Sequence, residues 1–275
     1  MSNTVFIGIK SKPLPFGKGF FIEKLPVKSH YKITRMLNLL RSVSSSVLQI
    51  AAILPLLLLI RFKYSKKQKR LLILAGLVLI AEGLLTAGFN FNFLKSYWNW
   101  TGKSASLIAA VLFISYNPFV SKKLADFTGS LRINSLYPVF GFSGTLLLLR
   151  LIFKLVSGNN DHVNNLETFA FQATLPGLSE ELIYRGILLG LLDKVYPKSI
   201  SIFKARIGWS VLIVAIVFGL VHGLSLTRNW HVLFNTQKFC MTMGLGLAFA
   251  WVKQRSGSLW PAIVFHNLWN LVVFS

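Results

Sequence analysis

Charge of one sign is almost missing from this chain. Eight acidic residues stand against thirty basic ones, only 14% of the 275 residues are charged, and there is a single cysteine, Cys240. One thiol excludes an internal disulfide framework and any multi-cysteine metal cluster. A charged fraction well below the roughly 25% of soluble domains argues against an ordinary water-soluble globule. The formal charge of +22 would suggest nucleic acid on a polar chain, but here 53% of the residues are hydrophobic. Basic residues between long apolar runs fit loops at an anionic lipid surface, and no nucleic-acid partner is expected. The first apolar run follows a basic, Pro-containing stretch, which is not the pattern of a cleavable signal peptide.

What is abundant is apolar helix. Crossing a hydrocarbon core of roughly 30 Å takes about 20 apolar residues. Eight runs approach that length: residues 44–60, 71–89, 104–119, 137–153, 167–192, 207–224, 231–252 and 258–274. They are continuous and Leu/Ile-rich rather than alternating, so helices are expected and not strands. The predicted fold class is therefore all-α, a polytopic membrane protein of about eight transmembrane helices. Tyr97, Trp98, Trp100, Trp209 and Trp260 lie near run ends, as an interfacial belt requires. Residues 1–43 read as a basic N-terminal tail and 44–275 as the membrane domain. Basic residues divide almost equally between the two sides, so orientation stays open.

Acids inside apolar runs are costly, roughly 2.5–3.5 kcal/mol each on insertion scales, and so mark function. Glu82, Glu180 and Glu181 are the three that fall well inside. Glu82, in Ala81-Glu82-Gly83, admits either a structural bond to a neighbouring helix or a functional role. Glu180 and Glu181 point about 100° apart on a helix, and Glu181 shares a face with Arg185 at i+4. Arg185 can neutralise Glu181, which then reads as structural; Glu180 has no partner in its own helix and reads as a general base. His222 follows Phe218 by one turn, and His266 precedes Asn270 by one turn. A lone buried histidine is usually structural, but two of them beside an amide and a glutamate suit hydrolysis. Glu180 and His222 could deprotonate a water, directly or around a metal, while His266 and Asn270 donate to a developing oxyanion. There is no HExxH, no convincing Ser–His–Asp set and no Gly-rich phosphate loop.

At these residues the chain resembles the CAAX protease and bacteriocin-processing family (CPBP, also called Abi) of intramembrane endopeptidases. Its motifs EExxxR, FxxxH and HxxxN read here Glu180-Glu181-x-x-x-Arg185, Phe218-x-x-x-His222 and His266-x-x-x-Asn270, in that order. The resemblance covers about residues 165–273. It implies an eight-helix membrane fold and hydrolysis of peptide bonds near the membrane surface. Glu180 and His222 match the water-activating pair, His266 and Asn270 the transition-state stabilisers, and Glu181, Arg185 and Phe218 the supporting residues. The family has been described both as metalloproteases and as metal-free glutamate proteases. A divalent metal such as zinc on Glu180, His222 and His266, or no metal, both stay open. Gly223 after His222 and the Gly-Ser-Leu-Trp-Pro lead into His266 resemble bacterial members, many of which serve bacteriocin self-immunity or peptide processing. A bacterial cell membrane is the expected location, and a peptide or protein the expected substrate. The alternative is a non-catalytic immunity or receptor-binding protein on the same fold. A proton- or ion-coupled transporter would rest on Glu82 and the histidines, but inverted-repeat symmetry is missing.

Two geometric expectations follow. Glu180, His222, His266 and Asn270 should converge on one cavity. That cavity should sit off-centre, toward the leaflet of the 157–165 loop, with Asn159, Asn160 and His162 near its rim.

Overall fold

A computed structural model describes residues 27–60, 63–89, 96–117, 131–157, 165–197 and 199–274. The basic tail up to residue 26 lies outside them, as do Asn159, Asn160 and His162. Among the described residues three long helices are apolar enough to cross a membrane: α1 (Val27–Ile60, from Met36), α2 (Lys66–Gly88), and α4 (Leu136–Ser157) with the 3₁₀ turn before it. Between them runs α3 (Trp100–Tyr116). The C-terminal half holds α5 (Leu166–Gln172), α6 (Leu175–Glu181), a π-helical segment Leu182–Leu188, α7 (Leu189–Val195), α8 (Trp209–Gly223), α9 (Thr236–Ser256) and α10 (Trp260–Phe274). Leu59, Ile73, Phe153 and Val156 point outward from α1, α2 and α4. Apolar side chains on the outer surface are what lipid requires, so the chain is an all-helical polytopic membrane protein.

The central element is the rod formed by α6, the π segment and α7. Every residue from 179 to 192 is buried. A helix apolar nearly all round must be enclosed by others, and this one packs against α2, α3, α8, α9 and α10. Its core neighbours include Val214, Phe218, Phe249 and Phe265.

The run at 167–192, expected as one helix, is broken twice. Ala173 and Thr174 form a turn before Pro176, which sits at the first positions of α6 where a missing N–H costs nothing. The π segment then widens the rod directly after Glu181. The connection between the 167–192 and 207–224 runs holds the hairpin β1 (Ser199–Ile202) to β2 (Ala205–Gly208). Its tip, Phe203 and Lys204, has positive φ of 49° and 63°. A second hairpin, β3 (Leu224–Leu226) to β4 (Val232–Phe234), takes the start of the expected 231–252 helix. That helix begins instead at Thr236, where Asn235 accepts from the Lys238 N–H at 2.8 Å. Helix α1 begins at Val27, reaching back into the basic segment.

Two close approaches set the helix positions that matter. At Gly177 an added Cβ would lie 2.3 Å from the Asn267 side chain and 2.9 Å from the Ile263 carbonyl, so only glycine lets α6 meet α10. At Gly102 a Cβ would lie 2.5 Å from the Thr86 carbonyl, so α3 begins hard against the end of α2.

Candidate active site

Glu180, His222 and His266 arrive from three helices. Glu180 is near the start of the central rod, His222 at the end of α8 and His266 within α10. Glu180 Oε2 lies 3.8 Å from His222 Nε2 and 3.9 Å from His266 Nε2. Those gaps are too long for direct hydrogen bonds. They place one carboxylate oxygen opposite two imidazole nitrogens.

Each imidazole is fixed through its other nitrogen. His222 Nδ1 donates to the Phe218 carbonyl at 2.8 Å, one turn back along α8. His266 Nδ1 donates to Glu181 Oε1 at 2.7 Å. With the proton on Nδ1, each neutral ring presents Nε2 as an acceptor; as imidazolium it presents a donor.

Glu181 and Arg185 are both fully enclosed and pair at 3.0 Å, as their i, i+4 spacing leads one to expect. Arg185 also donates to the Gly246 carbonyl at 3.1 Å. Its guanidinium lies 4.5 Å from the Phe218 ring centroid and 5.2 Å from that of Phe249. Stacking on aromatic faces offsets part of the cost of burying this ion pair. Phe249 also stacks on His266, with ring centroids 4.7 Å apart. The supporting residues Glu181, Arg185 and Phe218 thus form one block beneath the histidines.

Glu180 has a partner that sequence reasoning missed. Lys103 Nζ lies 2.8 Å from Glu180 Oε1 and 3.6 Å from Glu82 Oε1. Glu180 is therefore not the unpartnered carboxylate expected; its counter-charge comes from α3, where Lys103 reads in sequence as one more cation beside an interfacial belt. Asn267 was missed as well. Its Oδ1 accepts from the Gly177 N–H at 2.8 Å and its Nδ2 donates to the Thr174 carbonyl at 3.2 Å, tying α10 to the start of α6. Asn270 is half-buried on α10 and has no hydrogen-bond partner among the described residues. The structure brings Glu180, His222 and His266 together, and among the described residues no hydrogen bond joins Asn270 to them.

A cavity of about 560 Å³ opens on Glu180 and His222, lined also by Glu82, Lys103, Tyr184 and Lys238 with serines of α1 opposite; of the four residues expected to converge on one cavity, His266 and Asn270 are not in its lining. It sits where α2 and α8 end, where α3 and α9 begin, and at the junction of α6 with the π segment.

A divalent metal does not fit these groups as they stand. Among the described residues no three His, Cys, Asp or Glu side chains form a set able to hold one. Tetrahedral zinc with arms of about 2.1 Å needs ligand atoms about 3.4 Å apart. The Glu180–imidazole gaps of 3.8 and 3.9 Å are wider. An ammonium already bonded to Glu180 further opposes a second cation there.

Residues 162–272 match the Rce1-like family, described as type II CAAX prenyl endopeptidase. That bears out the CPBP resemblance over this segment, and all seven motif residues lie within it. No curated protein and no solved structure matches the chain. The family match supports a protease of the CAAX-processing kind and, with the three long apolar helices, an integral membrane protein. Lys103 and Glu82 lie outside the matched segment, on α3 and α2.

Proposed function

We propose that this protein is an intramembrane endopeptidase that hydrolyses peptide bonds with a water activated by Glu180 and His222. The observation that carries this reading is the opposition of Glu180 Oε2 to two imidazole Nε2 atoms at 3.8 and 3.9 Å beside a water-accessible cavity. A water between Glu180 Oε2 and His222 Nε2 donates to both and turns a lone pair to the scissile carbonyl. Glu180 takes the proton as the tetrahedral intermediate forms, and passes it to the leaving amine. His266, as imidazolium backed by Glu181, donates to the oxyanion from Nε2. Asn270, one turn further along α10, supplies its amide as a second donor to the oxyanion. No step uses a metal.

The matched family directs the substrate class toward peptides ending in a prenylated CAAX-type sequence, taken from the lipid side with the cleaved bond near the surface. Bacterial origin, self-immunity and bacteriocin processing belong to the finer part of the proposal. Purified protein in liposomes, given prenylated and unprenylated CAAX peptides and a bacteriocin-type leader peptide, tests it by mass mapping of the new termini. Cleavage of the prenylated peptide by wild type and not by Glu180→Gln is the expected result. No cleavage of any of the three would favour the non-catalytic binding alternative.

A further inference from the structure

Lys103 is placed with care by residues that the endopeptidase reading does not use. Asn99 caps α3, its Oδ1 accepting from the Gly102 N–H at 2.9 Å while its Nδ2 donates to the Thr86 carbonyl of α2 at 2.6 Å. Thr86 Oγ1 in turn donates to Glu82 Oε1 at 3.1 Å. Gly102 permits this contact, because any side chain would strike Thr86 and Asn99. The α2–α3 junction is thus clamped at one point, and the next residue after Gly102 is Lys103. Glu167 steadies the approach to α3 from the other side, accepting from the Tyr97 and Trp98 N–H groups at 3.1 Å.

The consequence falls on Glu180. A glutamate side chain in a cavity has free torsions, and its two oxygens are equivalent until something distinguishes them. Here Oε1 is taken by Lys103 at 2.8 Å, and Oε2 is the oxygen that faces both imidazoles. Neither histidine is close enough to hold the carboxylate by itself. We propose that Lys103, steadied by Glu82, is the positioning residue for Glu180: it binds Oε1 and leaves Oε2 as the proton-accepting oxygen.

The reacting centre is then incomplete without α2 and α3, although the motif residues all lie in the C-terminal half. Lys103 does not touch the reacting atoms; it acts through Glu180. This inference rests on the endopeptidase reading, and it differs from simple charge balance in what it predicts for a paired substitution. Glu82, Lys103 and Glu180 together carry one net negative charge. Lys103→Met alone raises that to two, whereas Glu82→Gln/Lys103→Met returns it to one. Charge balance is restored in the double variant, but the grip on Oε1 is not.

The test compares wild type, Lys103→Met, Glu82→Gln/Lys103→Met and Glu180→Gln as full-length protein in liposomes, by kcat, KM and thermal melting. A misplaced catalytic group costs on the order of a hundredfold in rate. The double variant should melt near wild type, keep its KM and lose about that factor in kcat. A kcat close to wild type, a loss confined to KM, or failure of the double variant to fold would each assign Lys103 to binding or structure and overturn the proposal. Equal turnover by wild type and Glu180→Gln would instead defeat the endopeptidase reading itself. An active wild type with an unimpaired double variant defeats only the role of Lys103.

Discussion

Glu181 Oε1 accepts from His266 Nδ1 at 2.7 Å, so the second glutamate of the pair orients the histidine of the last motif. The same oxygen accepts from Arg185 at 3.0 Å. One buried carboxylate oxygen therefore ties the central rod to α10 and sets which nitrogen of His266 faces Glu180. The two adjacent glutamates have different work because they leave the helix in different directions.

Substitution should separate them. Removing one partner of a buried ion pair leaves the other uncompensated and costs roughly 3–5 kcal/mol. Glu181→Gln should show that loss in thermal melting or in yield of folded protein. Glu180→Gln leaves Lys103 on the cavity wall with Glu82 at 3.6 Å, so it should cost clearly less than Glu181→Gln. Equal destabilisation by the two variants would assign both glutamates to packing.

The two asparagines of α10 should divide in the same way. Asn267 bonds Gly177 and Thr174, so Asn267→Ala should lower stability by about 1–3 kcal/mol as buried backbone groups lose a partner. Asn270 has no such bonds, and Asn270→Ala should leave melting unchanged while lowering kcat by about 10²–10³ if it joins the oxyanion site. Unchanged kcat in Asn270→Ala would remove that residue from the reaction.

Gly177→Ala tests the helix contact itself. A Cβ there meets the Asn267 side chain at 2.3 Å and the Ile263 carbonyl at 2.9 Å, so α6 and α10 must separate. Overpacking of this kind costs about 1–3 kcal/mol, and separation moves Glu180 away from His266. Melting and turnover should fall together; full activity would show that the contact can relax without moving the site.

The motif residues were legible in sequence because their pattern is local. Buried charge is expensive, so Glu180 and Glu181 stand out within apolar runs. The i, i+4 rule pairs Glu181 with Arg185, and the eight apolar runs map onto helical segments. The pairs that complete the cluster join distant segments: Lys103 with Glu180, Glu181 with His266, Gly177 with Asn267. No periodicity encodes those contacts. Lys103 was hidden by its neighbours, since a lysine beside Trp98 and Trp100 has the composition of a membrane interface. Glu82 was marked by its cost, but its partner was not. The hairpin at 199–208 lay mostly in a connection between two runs, and the one at 224–234 took apolar residues that also suit helix ends.

Chelation should leave turnover unchanged. Lys103 holds Glu180, and the Glu180–imidazole gaps are wider than a zinc site requires. Loss of activity on chelation, restored by stoichiometric zinc, would show that substrate or lipid rearranges these residues into a metal centre.

The most direct measurement is the single-turnover rate of peptide cleavage in liposomes by wild type and Glu180→Gln, compared at equal amounts of folded protein. A general base contributes about 10²–10⁴ to rate, and Glu180 as the water-activating carboxylate predicts a loss in that range with the fold intact. A Glu180→Gln rate close to that of wild type would contradict it.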